Sequence, residues 1–194
     1  DTATIVNVSD QVLSPASGSI IKLTQRSTSF GLTSTRETIL EPNTKTRRLR
    51  DISPDGTYSE TIMVDRRVQS NSSYAVDNSL ISQTTFTYDS HGRQKSQTQS
   101  GFGTTDITYF DDDLAQTITR PLKNSEARQV ETYVYDAIGQ RTEIHRADGS
   151  VVLTKFNLKN ELIEESGAGK NPRIYTYEEG QQKTVTSYKD FAAK

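Results

Sequence analysis

Residues 86–93 have the sequence Phe-Thr-Tyr-Asp-Ser-His-Gly-Arg, and residues 133–140 have the sequence Tyr-Val-Tyr-Asp-Ala-Ile-Gly-Gln. Both follow one pattern: an aromatic residue, any residue, Tyr, Asp, and then Gly three positions after the Asp. Internal self-similarity of this kind is the sequence signature of a repeat architecture. The pattern therefore decides the fold prediction.

Weaker copies of the pattern keep the same frame. The second aromatic residue of each copy falls at a spacing of 21, 26, 21 and 21 residues, at Tyr88, Tyr109, Tyr135, Phe156 and Tyr177. An insertion around residues 120–128 accounts for the one longer interval. The spacing predicts a repeat of about 21 residues in the C-terminal part of the chain.

Each part of the repeat has a physical role in this prediction. Two aromatic residues two positions apart point to the same face of a strand, because side chains alternate along it. Asp89 and Asp136 then begin a turn by accepting bonds from backbone N–H groups two residues on. Gly92 and Gly139 supply the positive φ that closes a type I turn with a bulge, and Asn160 takes that place in a weaker copy.

A second turn must return the chain within each repeat. Asp148 and Gly149 form one of the strongest two-residue hairpin signals, and Asp55 and Gly56 form the same signal upstream. Each repeat is then two strands and two turns.

The position of this second turn predicts a strand register. With Asp148 and Gly149 at the turn centre, Ile144 lies opposite Leu153. The sequence predicts that these two side chains share the buried face.

The predicted fold class is all-β, an antiparallel β-hairpin meander of about 21-residue repeats, twisted and curled into an open partial shell. Residues 1–80 are expected to be divergent β repeats or an N-terminal β cap, and residues 81–194 the repeat sheet. One continuous domain is the alternative. Strands are expected at residues 35–40 and 58–64, and a loop at residues 70–78, where Ser and Asn are frequent.

Composition narrows the function classes. Only 31% of residues are hydrophobic, which favours a thin sheet with much wet surface over a large core. The net charge of −2 gives no global field for nucleic acid. Cysteine is absent, which removes disulfides and thiolate sites. No stretch approaches the roughly 18 apolar residues of a membrane span.

Each residue that could have a catalytic or ligand-binding role also has a simpler structural interpretation. His91 lies inside a predicted turn, and His145 alternates along a predicted strand beside Glu143, with no further partners placed by the sequence. Residues 111–113, all Asp, lack the spacing of a calcium loop. Residues 166–171 lack two positions of a phosphate loop. The sequence therefore predicts no enzyme, no catalytic or metal-binding residue and no cofactor.

Four cations form the densest basic cluster, Lys45, Arg47, Arg48 and Arg50. They are the candidate contacts for a sulfated glycan or another acidic ligand. Alternation along a strand would place Arg48 and Arg50 on one face and Arg47 on the other. A solvated strand is the alternative interpretation.

With these motifs the chain resembles YD-repeat, or RHS-repeat, proteins. The residues that carry the resemblance are Tyr88-Asp89 with Gly92, and Tyr135-Asp136 with Gly139. The resemblance implies long antiparallel hairpins that spiral into a hollow shell, as in Tc toxin cocoons, bacterial polymorphic toxins, wall-associated proteins and teneurins. The Tyr and Asp of the motif are structural in that picture.

The resemblance implies a function as well as a fold. It implies a structural scaffold segment of a secreted or cell-surface bacterial protein, which encloses or presents another polypeptide. Its partners would be the rest of a larger parent polypeptide or an enclosed cargo protein. The alternative is a free-standing module that binds carbohydrate or a cell-surface ligand.

In one respect the chain departs from the toxin shells of this family. Their self-cleaving core segment uses motifs in which Pro follows Asp, and none of the five prolines here follows Asp. Autoproteolysis is therefore not expected.

Overall fold

The computed structural model describes residues 6–12, 21–121, 128–167 and 171–189. The chain divides into two compact units, residues 1–104 and 105–194. Each unit is a β-sheet, and the described residues also contain one short 3₁₀ turn, Pro42–Thr44. The predicted division at residue 80, between divergent repeats or a cap and the repeat sheet, stays a prediction.

The first unit contains eight strands in its described residues. They are β1 (Val6–Val12), β2 (Ile21–Ser29), β3 (Leu32–Glu41), β4 (Thr46–Ile52), β5 (Tyr58–Val64), β6 (Arg67–Tyr74), β7 (Leu80–Tyr88) and β8 (Gln94–Gln99). Each strand from β1 to β7 pairs antiparallel with the next one along the chain. The strand order in this sheet is therefore the order in the sequence.

The second unit repeats this arrangement. Its strands are β9 (Gly103–Tyr109), which begins just before the unit boundary, β10 (Ala115–Arg120), β11 (Gln129–Tyr135), β12 (Arg141–His145), β13 (Val151–Phe156), β14 (Leu162–Gly167), β15 (Arg173–Glu178) and β16 (Gln181–Ser187). Successive strands again pair antiparallel. The predicted all-β antiparallel meander is confirmed, and within each unit the described strands form an open run.

The strands and the loop predicted for the N-terminal part of the chain can be compared with the structure. The strands expected at residues 35–40 and 58–64 are confirmed as parts of β3 and β5. The loop expected at residues 70–78 is wrong for residues 70–74, because β6 continues to Tyr74, and a turn follows at residues 75–79. Ser72 is buried there and accepts a hydrogen bond from Gln83 Nε2 at 3.2 Å. Short polar side chains thus pair across strands in this sheet, although their composition is typical of loops.

Seven of the connections between strands have the same type of five-residue backbone turn. The first residue donates its N–H to the carbonyl of the residue four positions later, and the fourth residue donates its N–H to the first carbonyl. In every case the fourth residue has a φ between 64° and 86°. The turns begin at Ser53, Ala75, Asp89, Phe110, Asp136, Arg146 and Asn157. The predicted positive φ at Gly92, Gly139 and Asn160 is confirmed.

The turn at residues 146–150 is longer than the two-residue hairpin that was expected. The Arg146 N–H donates to the Ser150 carbonyl at 2.8 Å, and the Gly149 N–H donates to the Arg146 carbonyl at 3.0 Å. Asp148 and Gly149 are therefore the third and fourth residues of a five-residue turn.

The longer turn shifts the strand register by one residue. Ile144 lies opposite Val152, and the predicted pairing of Ile144 with Leu153 is wrong. A slip of one residue exchanges the two faces of a strand. Val152 accordingly is 3% exposed, whereas Leu153 is 41% exposed.

Two predicted loops fall partly outside the described residues. The insertion around residues 120–128 includes 122–127, and the segment 166–171 includes 168–170, none of which the structure describes.

Apolar burial is sparse in both sheets. Among the described residues, Tyr133 and Val152 are the buried hydrophobic side chains. The sheets are therefore held together mainly by contacts between neighbouring strands.

In the first unit, a row of charged side chains occupies the place of an apolar core. Arg50 lies directly opposite Glu37 on one side and Glu60 on the other. Its Nη2 is 2.8 Å from Glu60 Oε1, and its Nη1 is 4.0 Å from Glu37 Oε2. The guanidinium lies 4.7 Å from the centroid of the Tyr58 ring, which stacks on Tyr74. Burial alone would lower the pKa of Arg50, but the hydrogen bond and charge of Glu60 raise it.

The second unit has a smaller cluster of the same kind. Arg120 Nη1 is 2.7 Å from Glu131 Oε2, and the Tyr133 hydroxyl donates to the same oxygen at 2.9 Å. The guanidinium of Arg141 lies 5.2 Å from the centroid of the Tyr133 ring. The hydrogen bond from Arg120 lowers the pKa of Glu131, and burial raises the pKa of Tyr133.

Replacement of Gly167 by Ala tests the close approach of β13 and β14. Gly167 pairs with Val152 and has a φ of 121°. A Cβ at this position would overlap the Val151 carbonyl oxygen and lie 2.8 Å from Val152 Cα. We expect Gly167→Ala to lower the free energy of unfolding by about 3 kcal/mol or more, measured by urea denaturation.

Gly149→Ala is the matched control. Gly149 also has a positive φ, 79°, but a Cβ there would meet no atom within 4 Å. Its replacement should cost only the backbone strain, about 1–2 kcal/mol. Equal losses in the two variants would contradict the close approach of the strands.

Candidate functional site

The repeated motif forms the candidate site, and its carboxylates hold the turns closed. In the turns that begin at Asp89 and Asp136, one carboxylate oxygen accepts the N–H groups two and four residues on, at 3.0 and 2.9 Å in both cases. Asn157 makes the same pair of bonds through its amide oxygen, at 2.9 and 3.0 Å. The predicted role of Asp89 and Asp136 in starting the turns is confirmed.

A second group of Asp residues serves four other turns of the same type from a different position. The third residue of each of these turns accepts the N–H of the residue two positions on, at distances of 2.8 to 3.2 Å. The residues are Asp55, Asp77, Asp112 and Asp148. Asp112 is the middle residue of the 111–113 acidic run, so the run belongs to a turn.

Hydrogen bonding lowers the pKa of four turn carboxyl groups, those of Asp55, Asp77, Asp89 and Asp148. The bonds from Thr57, Ser79 and Ser150 lower the pKa of Asp55, Asp77 and Asp148. Partial burial would raise the pKa of Asp89, but its bonds with Arg93, including one from Nε at 2.7 Å, lower it overall. The folded turns therefore favour the ionised carboxylates.

Three of the four motif tyrosines, Tyr88, Tyr135 and Tyr177, fasten a hairpin to the strand before it. Each hydroxyl donates to a backbone carbonyl at the first or second residue of the preceding strand. The pairs are Tyr88 to Val68 at 2.7 Å, Tyr135 to Ala115 at 2.9 Å and Tyr177 to Leu162 at 2.9 Å. We call this contact the hydroxyl clamp.

Sequence reasoning assigned these rings to cross-strand packing and missed the hydroxyl clamp. Phe156 occupies the same place in one copy, so a ring alone satisfies the packing. The signal for the clamp was the recurrence of Tyr where Phe would pack equally well.

Each motif aromatic also marks a register shift. The pairing with the following strand slips by one residue at Tyr88, Tyr135, Phe156 and Tyr177. A bulge of this kind increases the local right-handed twist. The repeat therefore introduces the same irregularity at regular intervals along the sheet.

Turns one repeat apart also contact one another. Gln140 Nε2 donates to Asn160 Oδ1 at 2.5 Å, and the Tyr58 hydroxyl donates to Asn78 Oδ1 at 3.2 Å. In both cases the two residues are 20 positions apart. These bonds link the ends of hairpins that lie one repeat apart.

The predicted basic cluster is divided between the two faces of β4. Arg48 and Arg50 alternate with Arg47, as the strand pattern predicted. Lys45 Nζ lies 3.1 Å from Asp65 Oδ1, and Arg48 Nε lies 3.2 Å from Glu41 Oε1. With Arg50 also paired, three of the four charges are neutralised locally. A glycan contact by the whole cluster stays a prediction, and the ion pairs reduce the charge available for it.

The two histidines belong to different units and have different local partners. His91 lies in the turn that begins at Asp89, and the exposed His145 at the end of β12 has its Nε2 2.7 Å from Glu143 Oε2. Among the described residues, no three His, Cys, Asp or Glu side chains are grouped so that they could hold a metal ion. No helix in the described parts of the chain has the length and apolar character needed to cross a membrane.

Removal of one hydroxyl tests the clamp. Tyr135→Phe leaves the Ala115 carbonyl without its donor, and we expect the free energy of unfolding to fall by about 1 kcal/mol. Tyr74→Phe is the control, since the Tyr74 ring stacks on Tyr58 and no hydrogen bond of its hydroxyl is seen among the described residues. Chemical denaturation that gave no difference between the two variants would contradict a stabilising clamp.

The depressed pKa values of the turn carboxylates predict a loss of stability in acid. Stability from a group with a lowered folded-state pKa is fully present above its unfolded pKa, about 4 for Asp, and is lost as pH falls through the folded-state pKa. We expect the melting temperature to be constant above about pH 5 and to fall towards pH 2.

The triple variant Asp55→Asn, Asp77→Asn, Asp148→Asn tests the cause of that loss. An amide oxygen accepts the same backbone bond without titrating, as Asn157 does. The variant should lose less stability than the native chain between pH 6 and pH 3. An unchanged acid profile would show that these carboxylates do not supply it.

Comparison with known proteins identifies the fold. No family model matches the chain, and no curated protein matches it in sequence. Solved structures match at 15–16% identity with TM-scores of 0.52–0.53, over 83–88% of this chain and 10% of theirs. They include TcdB2-TccC3-Cdc42, TcdB2-TccC3 without its hypervariable C-terminal region, and TcdB2-TccC3-TEV.

This chain therefore spans about a tenth of the length of the structures that it matches. At this identity the likeness concerns the fold, and it agrees with the antiparallel meander described above. The YD-repeat resemblance is confirmed at the level of the fold: the chain shares an all-antiparallel β-meander with the matched part of the TcdB2-TccC3 structures.

Proposed function

We propose that the chain is a scaffold segment of a secreted or cell-surface YD-repeat protein of bacterial type, and that it forms part of a wall that encloses or presents another polypeptide. Its mechanism is steric and involves no catalysis and no cofactor. The observation that carries the proposal is the hydroxyl clamp, which fastens successive hairpins to one another without a conventional core.

A wall built in this way can be extended. The turn bonds and the hydroxyl clamp each join a strand to its immediate neighbour. Architectures held by nearest-neighbour contacts grow by addition of repeats, since no single core limits their size. This property suits a protein that must surround a large volume with a thin layer.

The ends of the hairpins supply surfaces for contact with neighbouring parts of a shell. Several large apolar side chains at or beside the turns are more than 60% exposed, namely Phe30, Leu32, Val76, Phe102, Ile138 and Leu158. Apolar side chains at the hairpin ends can be buried when another polypeptide packs against those ends. In a shell, adjacent walls or the enclosed polypeptide would cover them.

The likeness to the TcdB2-TccC3 structures supports the same proposal. The matched region is about a tenth of those chains, so the proposed partners of this segment are the remainder of a parent polypeptide and its cargo. Secretion is part of the proposal because a toxin shell acts outside the cell that makes it.

Isolation of the endogenous polypeptide from its native source tests this function. An antibody against this chain should recover a polypeptide far larger than 21.7 kDa, measured by intact mass. It should also recover a segment that resists protease until the wall is opened with urea. A mass near 21.7 kDa without any protected segment would contradict the proposal.

Gly167→Ala offers a matched perturbation within that experiment. Because its Cβ would separate β13 from β14, the variant should expose the protected segment at a lower urea concentration than the native wall. Gly149→Ala, which meets no neighbouring atom, should shift the exposure less.

A further inference from the structure

A groove with an unusual combination of charge and apolar surface lies where β3, β4 and β5 meet their connecting turns. Its volume is about 370 Å³, within the range of small-ligand and side-chain pockets of roughly 300–1,000 Å³. The lining residues used below are Leu40, Pro42, Lys45, Arg47, Met63 and Arg66.

The floor of this groove is apolar. Arg47 lies directly opposite Leu40 on β3 and Met63 on β5, so the three side chains share one face of the sheet. Leu40 and Pro42 are exposed, and Met63 is half-buried. The floor can therefore receive another apolar side chain and remove it from water.

The rim of the groove carries two cations that the sheet does not neutralise. The acidic neighbours are already engaged, since Asp65 pairs with Lys45 and Glu41 pairs with Arg48. Arg47 and Arg66 are exposed, and no carboxylate among the described residues forms an ion pair with either of them. The groove thus offers two guanidinium groups beside an apolar floor.

The turn that carries Arg66 is strained. Asp65 and Arg66 both have positive φ, 49° and 66°, in the two-residue turn between β5 and β6. Such a turn favours Asp-Gly, and Arg in the second place costs backbone strain. The Asp65 N–H donates to the Lys45 carbonyl at 3.2 Å and holds this turn beside the groove. Strained residues of this kind are typical of binding sites.

We propose that this groove binds an acidic segment of a polypeptide, with an apolar side chain on the floor and flanking carboxylates on Arg47 and Arg66. Charge complementarity selects the carboxylates, because guanidinium groups bind them with paired hydrogen bonds. A sulfated glycan would satisfy the arginines but leave the floor formed by Leu40 and Met63 exposed. The site goes beyond the wall role, since it would hold a partner whether or not the sheet encloses a cargo.

Peptide binding tests this site. A fluorescein-labelled peptide, EELEE, is titrated with the full chain and followed by fluorescence anisotropy at low ionic strength. We expect saturable binding, and binding about tenfold weaker for EESEE, which lacks the apolar side chain. The charge-reversed peptide KKLKK should not bind.

Two variants separate the site from the stability of the sheet. Arg66→Gly should abolish most of the binding while raising the melting temperature, because Gly relieves the strain of the turn. Arg47→Ala should also weaken binding about tenfold or more. Lys95→Ala, which removes an exposed cation from β8 and leaves the groove intact, is the charge control and should bind as the native chain does.

Three results would overturn the proposal. Equal affinity for EELEE and EESEE would show that the floor is not used. Undiminished binding of EELEE by Arg66→Gly would show that Arg66 does not contact the peptide. A heparin oligosaccharide that binds more tightly than EELEE and depends on Arg47 would assign the groove to a glycan.

Discussion

The hydroxyl clamp is the contact on which the repeat depends. A single-layer sheet has two faces in water and cannot use a shared core to fix the position of one hairpin against the next. A tyrosine hydroxyl that reaches the preceding strand supplies that fixed point at intervals of about two repeats, as Tyr88, Tyr135 and Tyr177 show. The Asp that follows each of Tyr88 and Tyr135 closes the turn. The residue that makes the hydroxyl clamp and the residue that closes the turn are therefore adjacent in the sequence.

Polar contacts also set the register where apolar contacts are few. A strand with small polar side chains on both faces can slip by one residue at little cost, since neither face is strongly buried. Arg50 lies between Glu37 and Glu60, and a slip would separate all three charges. Buried ion pairs contribute little net stability, but separation of the partners is costly. The main role of this charged row is therefore to fix the register of the strands.

The sequence predicted local features well and distant ones poorly, for reasons visible at particular residues. The turns at Asp89 and Asp136 depend on five consecutive residues, so the local sequence is enough to predict them. Asp148 and Gly149 fit either a two-residue or a five-residue turn, and the choice between them decided the register incorrectly. Ser72 has the composition of a loop but lies in a strand, because its partner Gln83 comes from the next strand.

The groove beside Arg66 illustrates how such a sheet can carry specificity. A repeat held by neighbouring strands tolerates change at any one turn, because the other turns keep their own bonds. A turn can then adopt a strained residue without loss of the fold, which a protein with one compact core would accommodate less readily. Asp65 and Arg66 depart from the turn shared by seven other connections. A sheet of repeated hairpins can thus contain a locally strained turn. Turns that differ from the repeat, such as that of Asp65 and Arg66, are places where specific contacts can arise.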